Sequence, residues 1–80
     1  MSTSLEHMSE RVRLIEERRY DPPRTVEVEH EGRWWPGLQR SWRLLDDGRG
    51  WLADVEYVVA HDWCMGKYLG SVPADRVRLT

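Results

Sequence analysis

Thr25-Val26-Glu27-Val28-Glu29-His30-Glu31-Gly32-Arg33-Trp34-Trp35-Pro36-Gly37 is the run that sets the architecture. Val26 and Val28 alternate with Glu27 and Glu29, the period of two that marks a strand with one buried face. Glu31-Gly32 makes a turn, and Arg33-Trp34-Trp35 starts the chain back along a second strand. Further on, Leu38, Trp42 and Leu44 hold even positions against Gln39, Ser41 and Arg43. Pro36-Gly37 interrupts that strand near its start, where a bulge or sharp bend belongs. Arg40 falls at the apolar parity, so either its guanidinium stacks on a tryptophan or the register breaks there.

On the C-terminal side, Asp46-Asp47-Gly48-Arg49-Gly50 is a hairpin loop, because Asp and Gly supply the positive φ such turns demand. A third strand then puts Trp51, Ala53, Val55 and Tyr57 on one face. A looser stretch from Ala60 to Gly66 leads to a fourth strand over Tyr68 to Val72. Pro73-Ala74-Asp75-Arg76 reads as one tight helical turn, and Val77-Arg78-Leu79 as a short fifth strand. Short antiparallel strands in this number predict a small closed barrel, since closure removes edges that a thin sheet cannot protect. By alternation, Trp42 and Trp51 belong to its core.

Upstream the period changes. Leu5, Met8, Val12 and Ile15 recur at spacings of three and four among Glu and Arg, predicting an α-helix from Ser4 to about Arg19. Ser4 or Ser9 serves as N-cap, Arg18 and Arg19 suit the helix C-terminus, and Asp21-Pro22-Pro23 ends it. The chain thus divides into a helix and Pro-Pro linker over 1–23 and a β-domain over 24–80. The helix either lids the barrel or pairs with another copy, and docking is favoured because fewer than three heptads make a marginal coiled coil.

Composition narrows the function. With 80 residues there is one domain and a thin core. The single Cys64 excludes an internal disulfide framework, and neither a signal peptide nor a membrane span is legible, so a soluble cytoplasmic protein is expected. Net charge is −2 and neither half is basic, which argues against binding nucleic acid through its phosphates. Eleven of twelve bases are arginine and phenylalanine is absent, a coding bias that fits a GC-rich, bacterial genome. His61-Asp62-Trp63-Cys64 holds the residue types of a cysteine nucleophile, but three of them within four residues converge poorly for catalysis. His7, His30 and His61 with one cysteine have no zinc spacing, so no metal, cofactor or enzymatic activity is expected.

The run from Glu31 to Gly37, the Asp-Asp-Gly hairpin, the Val55-Glu56-Tyr57 strand and the closing Val72-Pro73-Ala74-Asp75-Arg76-Val77-Arg78 resemble the Tudor and Agenet group of Src-homology-3-like barrels. The resemblance covers residues 25 to 79. It implies a five-stranded barrel that recognises a protein segment, often one bearing a methylated lysine or arginine, through aromatic side chains at one rim, or nucleic acid in some members. Carried over by position, Trp35 is the first rim aromatic with Trp34 facing the core, Tyr57 is a second, and Trp63 or Tyr68 supplies a further wall. Gln39 departs from the pattern, standing where an aliphatic is usual.

Five tryptophans within thirty residues are more flat aromatic surface than a small core needs. The expected ligand-binding residues are therefore Trp35, Tyr57, Trp63 and Tyr68, supported by an acidic ladder of Glu27, Glu29 and Glu31. The expected function is a non-catalytic protein-interaction module for a cationic or proline-containing segment. The alternatives are a nucleic-acid-associated regulator that stacks bases on tryptophan, or a structural subunit with its tryptophans buried in an oligomer. The chain is expected to be a monomer or a weak homodimer through its N-terminal helix.

Overall fold

The computed structural model describes residues 12–80. Five antiparallel strands make up the fold: β1 (Leu14–His30), β2 (Arg33–Leu45), β3 (Trp51–Ala60), β4 (Met65–Pro73) and β5 (Val77–Leu79), with a 3-10 turn, Ala74–Arg76, between the last two. They form one sheet in the order β4-β3-β2-β1-β5. Such a small, mainly β domain is compatible with a Src-homology-3-like fold.

Two expectations fail. No α-helix exists among the described residues, and Leu14–Arg19, the expected end of the helix, is strand. The rest of that helix, Ser4 to Arg11, lies outside the described residues. Leu14 to Arg19 instead run antiparallel to Ser41–Leu45, placing Arg18 opposite Trp42 and Arg19 opposite Ser41. Backbone pairing to an available edge outweighs the side-chain spacing that favours a helix. The barrel is also not closed, because β4 and β5 stand at opposite ends of the sheet and do not pair. β5 has three residues and spends them on Val26–Val28. The turn before it is so short that its two ends stand within about 15 Å, so the sheet curls strongly while its seam stays open.

Register explains the face each residue takes. Pro36 and Gly37 pair with Glu27 and Val26 without a shift, so the expected bulge is absent there. The break comes at Arg40, between Gln39 opposite Val55 and Ser41 opposite Asp54. Across from it β1 makes a longer excursion over Tyr20–Pro23. The Arg40 bulge moves the inward parity from odd to even, so Gln39 is buried while Leu38 is exposed and Trp42 still reaches the core. Gly37 is required by contact: a Cβ there would stand 2.5 Å from the Glu56 carbonyl oxygen and 2.8 Å from Tyr57 Cβ.

The core is Val26, Val28, Ala53, Val55, Tyr57, Val59 and Val72, flanked by Trp35, Trp42, Tyr68 and Val77. Trp51 does not join that cluster. With Trp42, Arg18 and Ala74 it lines an apolar groove, with Arg18 over its ring at 5.2 Å. On the other face Glu56 lies between Arg40 (3.0 Å) and Lys67 (3.2 Å). Hydrogen bonds from Arg40 and then Lys67 hold its carboxyl below the usual range, and the same contact raises Arg40.

Candidate functional site

The ends of β1 and β3 bring two histidines to one end of the sheet. His30 precedes the Glu31-Gly32 turn, where both residues take positive φ (54° and 80°), as a two-residue hairpin demands. A glutamate in that conformation is unusual, which marks Glu31 as a position set by more than local preference. His61 opens the loop to β4, which its backbone N–H closes by donating to the Cys64 carbonyl at 2.7 Å.

Between the histidines stand the tyrosines. Tyr57 and Tyr68 lie opposite each other on β3 and β4 and stack, with centroids 5.4 Å apart at 18°. The Tyr57 hydroxyl bonds His30 Nδ1 at 3.0 Å, and the Tyr68 hydroxyl lies 3.3 Å from His61 Nε2. His61 stacks on Trp63 at 5.4 Å and 17°. Gly66 makes room for this packing, since a Cβ there would sit 3.1 Å from His61 Nε2. Trp35 leans on the core and donates its indole N–H to the His30 carbonyl at 3.2 Å.

The structure thus gathers Trp35, Tyr57, Trp63 and Tyr68 at one end but gives them different situations. Tyr57 is buried, Trp35 and Tyr68 are half-buried, and Trp63 is 80% exposed. The expected faces of the tryptophan pair are exchanged. Trp35 stands opposite buried Val28 and so faces inward, whereas Trp34, opposite Glu29, faces out under the Arg78 guanidinium at 4.1 Å. Stacked tyrosines leave no gap for a side chain between them, so they form a floor.

The three glutamates also differ. Glu27 is paired with Arg78 at 2.8 Å and Glu29 with Arg76 at 3.1 Å, which leaves Glu31 exposed, 3.7 Å from His30 Nε2. A groove of about 210 Å³ runs between the Glu31 turn and the His61–Trp63 loop, lined also by Trp35, Val59, Asp62 and one arginine, Arg33. Two carboxylates, Glu31 and Asp62, and the open face of Trp63 therefore border one hollow. Asp62 and the two histidines were not singled out as binding residues from the sequence, which put His30 at the end of the first strand and His61 in the loop from Ala60 to Gly66. Cys64 is exposed, and no three His, Cys, Asp or Glu among the described residues are grouped as metal ligands.

No helix among the described residues is long and apolar enough to cross a membrane. The chain matches no family model, no curated protein and no solved structure.

Proposed function

We propose that this domain is a non-catalytic protein-interaction module that receives a cationic side chain of a protein segment in the groove between Glu31 and Trp63. The observation that carries the reading is Trp63, whose ring is stacked on one side by His61 and 80% exposed, beside the carboxylates of Glu31 and Asp62. A lysine or arginine head over an indole gains roughly 0.5 to 2 kcal/mol, and nearby acids add to its attraction. The resemblance to the Tudor and Agenet barrels supports the same reading, with an open half-cage in place of a four-walled one. Tyr57, Tyr68 and Trp35 hold the floor on which His30 and His61 rest.

Titration of the protein with trimethyllysine-, arginine- and proline-containing peptides, followed by tryptophan emission, tests it against a norleucine-matched control. The cationic peptides are expected to bind, and Trp63→Ala to abolish the response while leaving Tm unchanged, because an indole this exposed contributes little to folding. Equal responses to the cationic and norleucine peptides, or unchanged binding by Trp63→Ala, overturn it; a preference for the proline peptide assigns the groove to that class instead.

A further inference from the structure

Beyond the Tyr20–Pro23 excursion, β1 contributes a second sheet edge. Leu14 to Arg19 pair with β2 on one side, and among the described residues no strand pairs with them on the other, since β5 reaches only Val26–Val28. Unpaired edges of soluble proteins are normally blunted by lysine, proline or a covering element. Between Leu14 and Arg19 this edge holds neither lysine nor proline, no strand covers it among the described residues, and its charges, at Glu16 to Arg19, are of both signs; Leu14 and Ile15 are exposed (46% and 60%), as is Val12 just before them (44%).

In the four residues that follow, Glu16-Glu17-Arg18-Arg19, each face of the strand carries one acid and one base. Glu16 and Arg18 share one face at 2.8 Å, and Glu17 and Arg19 share the other at 3.4 Å. We propose that this edge pairs antiparallel with the same edge of a second copy of the chain, making a two-fold dimer through a continuous sheet.

Geometry selects the register. Residues directly opposite in an antiparallel pair share a face, and a two-fold axis perpendicular to the sheet then requires opposed positions of equal parity. Placing Glu17 on the axis sets Glu16 of each copy against Arg18 of the other, two opposite-charge pairs. The Glu17 carboxylates that meet at the axis are each flanked by the Arg19 (3.4 Å) and Arg43 (3.6 Å) of their own chain. With Glu17 on the axis Ile15 to Arg19 pair among themselves, whereas Arg18 on the axis would set Glu16, Ile15 and Leu14 against Tyr20, Asp21 and Pro22, in the excursion that has left regular pairing. The isologous contact closes on itself and so yields a dimer rather than a fibre.

Sedimentation equilibrium on the full chain over a range of concentration tests this. The wild-type mass is expected to rise toward twice the chain mass, less so at high salt. Glu16→Arg sets two arginine pairs across the axis and Arg18→Glu two glutamate pairs, so each variant alone is expected to dimerise at least on the order of tenfold more weakly. The decisive arm mixes the two variants. The two substituted positions then face each other with their charges exchanged, while the native Arg18 of the first variant meets the native Glu16 of the second. Both contacts are again opposite in charge, and the mixture is expected to recover wild-type association. Recovery also shows that both variants fold. A wild type that stays monomeric throughout overturns the proposal, whatever else covers the edge. So does a single variant that dimerises as well as wild type, or a mixture that stays monomeric.

Discussion

Gln39 is out of contact with water, and both ends of its amide are committed. Its Oε1 accepts from Arg24 Nε at 2.9 Å and its Nε2 donates to the Ser41 carbonyl at 3.0 Å, spanning the bulge at Arg40. Arg24 in turn lies over the Tyr20 ring at 4.4 Å, so one glutamine ties the bulge of β2 to the excursion of β1. Gln39→Leu keeps the volume but takes away the acceptor of Arg24 Nε and a donor to the Ser41 carbonyl at a buried position. Chemical denaturation is expected to show a loss of about 1 to 3 kcal/mol, the cost of an orphaned buried polar group. The sequence marked this position only as a departure from an aliphatic pattern. It also left two readings for Arg40, of which the structure shows the break in register. The order of Trp34 and Trp35 was not legible at all, because two identical neighbours are told apart only by their cross-strand partners, Glu29 and Val28.

β3 and β1 mark the two limits of what the chain discloses about its elements. In β3 the alternation of Ala53, Val55 and Tyr57 is both the sequence pattern and the buried face, which runs on to Val59, while Leu52 is buried out of phase. In β1 it holds only from Val26 onward, and the segment before the excursion is fixed by backbone bonds to β2, which no local pattern announces. That difference predicts uneven protection. Amide exchange followed by NMR is expected to be slowest at Val26–Val28, paired on both edges, and fast in dilute protein at those amides of Glu16–Arg19 that point away from β2. The same amides are expected to slow as concentration rises into the range of self-association. Protection there equal to that of Val26–Val28 at every concentration would show that the edge is not free.

For the molecule as a whole, charge sets the acid limit of stability. Glu56 is held below the usual carboxylate range by Arg40 and Lys67, and Asp47 by its bonds from Arg49, backbone first. A carboxyl whose folded value is depressed contributes stability that is complete above its unfolded value, about 4.3 for Glu and 3.9 for Asp, and is lost as pH falls through the folded value. Tm is therefore expected to decline below about pH 4, and Glu56→Gln to flatten that decline while lowering Tm at neutral pH. The number of strands could be read from the chain, but closure could not, because it depends on whether the last strand pairs with two neighbours. Its three residues do not, and what they do instead has a mechanical consequence. β5 and the turn before it are fastened to β1 by Arg78 on Glu27 and Arg76 on Glu29, beside the hairpin that carries Glu31. Tension applied at Leu79 therefore peels this short strand away and releases two carboxylates from their arginines together, adding Glu27 and Glu29 to Glu31 along the same strand.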